Sequence, residues 1–445
     1  MINLFQNYDR NAADLLRSQL FAKINVPSVA IYDDGYLPDN IESPVKFFCK
    51  QDKTRKPLYF DKVKFPKYWR IKSTADLGEV FDLHRKRAEI IYGDTDNSRS
   101  VKEVHWFGDN GNISWIDHYD KHGNYFAKTY LVQGVQTIRN YFDNHGKKII
   151  TWNMLNGFLS LRYKNQLKSF TNLADFIVFY LKERHFNLDH IFYNSLDVPF
   201  MVSTTLDVDG EDTLFWQEAT GEELPGNMQA LMSNRTRTKH IVFQRYLDWQ
   251  KWQEQLENQQ ANVDFQYLGI IYPHPRGNNM KPSAVVFTNS DQIEQLDQLA
   301  IAMKNVHITV AAVTEMSAKL LAMRKYSNVE LIPAISNKRS QELMKQADIY
   351  LDINHGNEIL DSVRAAFENN MLILGFEDTV HEPLYVDSEN IFKKDDSVSM
   401  VRQILGALVQ PSRMKQLIDH QRLVAGDVTI DDYKKTFGVL TGERR

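Results

Sequence analysis

Apolar residues in this chain change their spacing twice, and each change predicts a different kind of structure. Near the start, segment 2–6 (INLFQ) reads as a short strand, and 9–23 places Ala12, Leu15, Leu16 and Leu20 at helical spacing. Segment 28–32 (SVAIY) is an uninterrupted apolar run that ends at the turn Asp33-Asp34-Gly35. Strands that are apolar at every position fit a parallel sheet covered on both faces. A β-α-β unit is therefore expected in the first fifty residues. It lacks the glycine-rich dinucleotide fingerprint.

From about residue 58 to 170 the texture becomes strands and polar turns. Segments 101–107, 112–119, 124–131 and 149–153 read as strands. The turns among them are Asp109-Asn110-Gly111, Asp120-Lys121-His122-Gly123 and Asp143-Asn144-His145-Gly146. Asp and Asn bond their own backbone and Gly accepts positive φ, which tight hairpins need. An antiparallel meander is expected here. His122 and His145 each precede a turn glycine and read as turn residues, not metal ligands.

The α/β texture resumes near Leu173. Leu173, Phe176, Ile177, Tyr180 and Leu181 predict a helix, with strands at 190–193, 198–206 and 213–217. The Gln-rich stretch 227–259, with Trp249 and Trp252, is expected as a long linking helix. Beyond it, 265–271, 284–288, 306–313, 329–332, 349–353 and 371–375 are short buried-type strands. Helical patterns, such as 290–304 and 315–325, lie between most of them, which implies a doubly wound parallel sheet. The expected fold is α/β. Its domains are a first Rossmann-like domain (1–57 plus 186–260), an inserted antiparallel β-meander domain (58–185) and a second Rossmann-like domain (261–445).

Composition narrows the function. The 445 residues are 43% apolar and 25% charged, as in ordinary soluble proteins. Lys plus Arg (53) against Asp plus Glu (57) leaves a charge of −4, which excludes nucleic-acid binding through overall basicity. The single cysteine, Cys49, rules out a disulfide framework and a cysteine-built zinc site, and fits a reducing, cytoplasmic compartment. The N-terminal segment has neither the basic nor the apolar region of a signal peptide, and no uncharged apolar stretch approaches the ~18–20 residues that span a bilayer.

Two local features invite chemistry. Residues 50–72 hold nine basic side chains (Lys50, Lys53, Arg55, Lys56, Lys62, Lys64, Lys67, Arg70 and Lys72) interleaved with Tyr59, Phe60, Phe65, Tyr68 and Trp69. Such a surface suits anionic lipid or an acidic partner better than RNA, because no RNA-binding motif accompanies it. Asp207-Val208-Asp209 has the spacing of a divalent-cation chelate, but it runs into Gly210-Glu211-Asp212 and reads as an acidic turn. No metal site is expected.

The most informative segment is 353–376, INHGNEILDSVRAAFENNMLILGF. Asn357 is the expected N-cap, Ile359, Leu360, Val363, Ala366 and Phe367 the buried helical stripe, and Asn370 the end, with a strand following at once. A helix that starts just past a strand's carboxyl end is a ready diphosphate site. This order, with the neighbouring 335–353 (ISNKRSQELMKQADIYLDI), resembles the nucleotide-sugar site in the second Rossmann-like domain of GT-B glycosyltransferases. The resemblance implies two glutamates ahead of an AMA-x-G-x-P stretch, one for the donor sugar and one for the ribose. Aligned on NNMLIL, Asn357 and Ala365 stand in their places. Glu358 and Glu368 point to different helix faces. The resemblance also implies Arg and Lys after the first strand of this domain, where Asn289, Ser290, Asp291 and Gln292 follow AVVFT. A phosphate clamp without positive charge is electrostatically wrong.

A GT-B-like scaffold with an inserted meander and a stripped donor site resembles the stabilising subunits of the two-component O-glycosyltransferases of the accessory Sec system, which act on serine-rich repeat adhesins. That resemblance implies a non-catalytic co-subunit without a cofactor, in a two-plus-two hetero-oligomer with a catalytic glycosyltransferase. It also implies binding of the Ser/Thr-rich acceptor for O-linked N-acetylglucosamine (or glucose) addition before export. Peripheral contact with the inner membrane face or with accessory Sec components belongs to the same picture. The acceptor is expected in the cleft between the Rossmann-like domains, lined by His274, Arg276, His355 and Asn357. One alternative is an active GT-B enzyme using a UDP-sugar. Another is a membrane-surface adaptor acting through 50–72.

Overall fold

The computed structural model describes residues 1–74, 76–93, 99–258 and 260–442. The chain forms two compact units, one mainly Met1–Val242 and the other mainly Tyr267–Phe437.

The first unit opens with β1 (Ile2–Phe5), β2 (Ser28–Ala30) and β3 (Ile41–Glu42), which pair in parallel. Ten strands follow: β4 (Arg70–Ser73), β5 (Leu77–Asp82), β6 (Arg85–Tyr92), β7 (Val101–Phe107), β8 (Ile113–Tyr119), β9 (Tyr125–Val132), β10 (Val135–Phe142), β11 (Lys148–Asn153), β12 (Leu159–Tyr163) and β13 (Gln166–Phe170). They make one antiparallel sheet in sequential order. The chain then supplies β14 (Ile191–Tyr193), β15 (Asp212–Trp216), β16 (Thr238–Phe243) and β17 (Asp264–Tyr267). These complete a seven-stranded sheet of order β17-β16-β15-β14-β1-β2-β3. Its strands are apolar on both faces because both are covered: Leu4, Phe5, Val29, Phe192 and Phe215 are fully buried. Buried Asn3 is satisfied by the side chains of Gln19 and Ser28.

The meander turns form as expected. Gly111, Gly123 and Gly146 adopt φ of +79°, +75° and +76°. Asp120 and Asp143 accept the backbone amides of His122 and His145, so both histidines are turn residues.

The second unit holds β18 (Ser283–Thr288), β19 (His307–Ala312), β20 (Val329–Ile332), β21 (Ile349–Asp352), β22 (Leu372–Phe376) and β23 (Ile391–Phe392). All pair in parallel in the order β20-β19-β18-β21-β22-β23, the doubly wound arrangement, with the order reversing between β18 and β21. Val286, Ile308 and Leu351 face one helical layer, and Val285, Tyr350 and Ile373 the other.

Four expectations are corrected. Segment 198–206 is not a strand but the helix Val198–Thr205, since Pro199 in the first turn costs a helix nothing and a short apolar run carries no period of its own. The stretch 227–259 is not one helix: Gly226–Ser233 and Tyr246–Glu257 flank β16, whose HIVF core was masked by its polar surroundings. The helix expected over 290–304 begins only at Leu296, because Ile293 bridges to Asn354. Asn357 is not an N-cap. The helix is Ser362–Glu368, preceded by Leu360 and Asp361 at φ of +60° and +49°, so Ile359 and Leu360 belong to the loop.

Candidate functional site

Open parallel sheets bind ligands where strand order reverses, at the carboxyl ends of the strands. In the second unit the loops leaving β18 and β21 meet there. Thr288 Oγ1 donates to Asn354 Oδ1 (2.7 Å), which also accepts from Gly356 N (3.0 Å). His355 N donates to Gln292 O (3.0 Å), and Glu294 N to Ile353 O (2.8 Å). The Asn289 side chain lies so close that a Cβ on Gly356 would sit 1.9 Å from its Oδ1. The two loops are fastened to each other across the position where a diphosphate would enter.

The start of the next helix is also engaged. Glu358 Oε1 accepts from Val363 N (3.0 Å), so a carboxylate of the chain itself takes an amide that a phosphate would otherwise use. Burial pushes the Glu358 carboxyl up, as do Glu382, Asp361 and Asp352. Asp291 accepts from Ser317 Oγ (3.0 Å) and adds a further negative charge. Ala365 lines a cavity of about 280 Å³ with Phe287, Ser340, Met344, Leu360 and Ser362. It offers a methyl where the GT-B resemblance expects a ribose-binding glutamate.

His381 locks the loop from below. Its Nδ1 lies 2.6 Å from Asp352 Oδ1, and its Nε2 lies 2.7 Å from Gly356 O. The Asp352 hydrogen bond holds the imidazole pKa up at about 9, so both ring nitrogens donate at neutral pH. Because the folded value is raised, this stabilisation is complete below the ordinary histidine range and is lost as pH rises through about 9.

Glu294, His355 and Asp378 bring possible ligand atoms within 4.8 Å of one another. Lys394 Nζ stands 3.1 Å from Asp378 and 3.8 Å from Glu294, and His355 Nε2 lies 2.7 Å from Glu294, so this acidic group is balanced internally. In the first unit Lys182 pairs with Asp207 at 3.0 Å. Arg237 donates to the carbonyls of Val208 and Asp209 and to both carboxylate oxygens of buried Asp212. The 207–209 segment is thus built as a turn around a guanidinium.

The four residues singled out from sequence fall into two pairs. His355 and Asn357 are exposed in the loop after β21. His274 and Arg276 sit at the opposite, amino-terminal end of that strand. Arg276 pairs with fully buried Asp348 and donates to the carbonyls of Met344 (3.0 Å) and Ala347, closing the end of helix Asn337–Gln346. His274 Nε2 lies 2.8 Å from Asp427 Oδ2, and its ring packs on Phe367. Glu294, Asp352 and His381 escaped the sequence reading. Asp352 carried a signal, since a carboxylate inside the buried run IYLDI must find a partner. His381 lies too far along the chain to be paired with it by pattern.

Family models match along the chain: the GtfB N-terminal domain at 2–48, the GtfB middle domain at 69–171, the GtfB third domain at 173–257 and the GftB/GlyA-F C-terminal domain at 284–421. The chain is 50% identical over 444 residues to the "UDP-N-acetylglucosamine--peptide N-acetylglucosaminyltransferase stabilizing protein GtfB" of Limosilactobacillus reuteri subsp. suis, covering 100% of both. Its identity to the protein of the same name from Streptococcus agalactiae is 37%, over 98% of this chain and 99% of that one. Among solved structures, a chain of a GtfA/B complex bound to UDP and GlcNAc superimposes with a TM-score of 0.91 at 36% identity, with 99% of each chain covered.

Proposed function

The chain belongs to the GtfB family of glycosyltransferase-stabilising proteins, and from that premise we propose that it is a non-catalytic co-subunit of a protein O-glycosyltransferase. It stabilises a catalytic glycosyltransferase subunit and holds a Ser/Thr-rich acceptor while N-acetylglucosamine is added. The observation that carries this reading is the end-to-end similarity to a protein named for stabilising a peptide N-acetylglucosaminyltransferase.

The geometry supports the absence of donor chemistry. A nucleotide diphosphate needs positive charge and open amides at a helix start. Here the loop after β18 offers Asn289 and Asp291, Glu358 takes the Val363 amide, and Asn289 presses on Gly356. His355 and Asn357 remain exposed on that edge and are proposed as acceptor contacts. Among the described residues no helix is long and apolar enough to cross a membrane, and the exposed lysines of 50–72 are proposed for peripheral contact with anionic lipid.

Calorimetric titration of the isolated chain with UDP-N-acetylglucosamine and UDP-glucose tests the donor side. A flat trace up to millimolar nucleotide sugar is expected. Micromolar binding that is weakened by Glu358→Gln would restore the active-enzyme alternative.

A further inference from the structure

A second ligand-sized space lies wholly within the first unit, away from His274, Arg276, His355 and Asn357. It has a volume of about 310 Å³. Asn7, Tyr8, Tyr32 and Asp34 reach it from just beyond the carboxyl ends of β1 and β2, where parallel sheets present ligands. Glu103, His118, Arg139 and Tyr141 enter from β7, β8 and β10 of the ten-stranded sheet.

One wall is a continuous polar chain. Arg139 Nε donates to Thr129 Oγ1 (2.7 Å), which lies 2.8 Å from His118 Nε2. His118 Nδ1 lies 3.1 Å from Glu103 Oε1, and His105 Nε2 lies 2.7 Å from Glu103 Oε2. Burial pulls the His118 pKa down, so its ring is neutral and its Nδ1 hydrogen serves Glu103. The hydrogen bonds from the two histidines hold the Glu103 carboxyl well below the usual carboxylate range. These groups are fixed before any ligand arrives, which lowers the ordering cost of binding.

The charge balance selects among ligands. Asp33, Asp34 and Glu103 face the space against one guanidinium, Arg139. A phosphate-bearing ligand is repelled. The carboxylates are also already served: Asp34 by Lys102 at 2.8 Å, Glu103 by its two histidines, and Asp33 by Ser43 Oγ and Gly35 N. A bare cation would have to displace these hydrogen bonds to reach a carboxylate. Hydroxyls and amides remain, because they accept from Arg139 and the tyrosines and donate to Asn7 and the carboxylates. The volume lies at the small end of ligand pockets and fits one or two small residues.

We infer that this cavity takes a serine or threonine of an extended, uncharged peptide together with its flanking backbone amides. The inference rests on the reading that the chain holds a Ser/Thr-rich acceptor, and it names a seat for that acceptor in the first unit. The test uses the complex with the catalytic subunit and a fluorescein-labelled Ser/Thr-rich repeat peptide, followed by anisotropy. Asn7→Ala and Glu103→Gln should each weaken peptide binding about tenfold, as loss of well-placed hydrogen bonds does. Both variants should still co-elute with the catalytic subunit, and millimolar UDP-N-acetylglucosamine should not displace the peptide. Unchanged affinity in both variants, with the wild-type complex binding, overturns the seat and leaves the acceptor role standing. Displacement by the nucleotide sugar overturns it too. A wild-type complex that fails to bind the peptide sinks the acceptor role itself.

Discussion

Val132→Asp and Val135→Asp, made together, are expected to lower affinity for the catalytic subunit about a hundredfold and leave the chain folded. The two valines face each other across the β9–β10 hairpin and are 62% and 55% exposed. Tyr130 and Ile138 continue the same paired face, and both remain more than a third exposed. The row goes on through Trp115 and Trp106 in register, with those two rings stacked 5.8 Å apart. An apolar row of this length, running from the β9–β10 hairpin tip across the middle strands of a ten-stranded antiparallel sheet, is a surface suited to being covered. Burying a valine contributes about 1.5 kcal/mol or more, and a carboxylate placed in a dry contact opposes association further. Neither valine packs into the unit's own core, so thermal stability should change little. Co-elution with the catalytic subunit and a melting curve check both halves. Wild-type affinity in the double variant would move the interface off this hairpin.

Arg276→Ala is expected to destabilise the second unit by about 3 kcal/mol, because it strips the partner from a buried carboxylate. Asp348 is fully buried, and the amides of Asn279 and Lys281 would still serve its Oδ2, which keeps the loss near the low end for such pairs. Arg276 also closes the carboxyl end of helix Asn337–Gln346 through Met344 and Ala347. For a unit of this size the apparent melting temperature should fall by about 10 °C. A loss of acceptor binding in this variant would then report unfolding, whereas His355→Ala, an exposed loop change, reports contact. Calorimetric melting of both variants separates them: a wild-type transition for Arg276→Ala would show that the pair carries no stability.

These two cases show what the sequence discloses. Parallel strands such as 284–288 and 371–375 were legible because burial on both faces leaves an unbroken apolar run. The meander was legible from its Asp, Asn and Gly turns, which dictate hairpins locally. Segment 198–206 misled because a short apolar run around a proline satisfies either period, and only tertiary packing decides. At the candidate donor site, the missing charge after AVVFT was visible, as were Asn357 and Ala365 where the GT-B resemblance implies glutamates. Its closure was not, since Asn289 on Gly356, Glu358 on Val363 and His381 on Asp352 are meetings between distant or irregular segments. Arg276 looked like a cleft residue because an arginine in a Pro/Gly loop gives no sign that a buried aspartate waits for it.

The central claim is that this chain contributes acceptor handling and stability, and no transfer chemistry, to a two-component O-glycosyltransferase. The most direct test is a transfer assay with UDP-N-acetylglucosamine and a Ser/Thr-rich repeat peptide. It is run with this chain alone, with the catalytic subunit alone and with both together. The account predicts no sugar incorporation by this chain alone and far faster incorporation by the pair than by the catalytic subunit. Incorporation by this chain alone, or equal rates with and without it, would contradict the account.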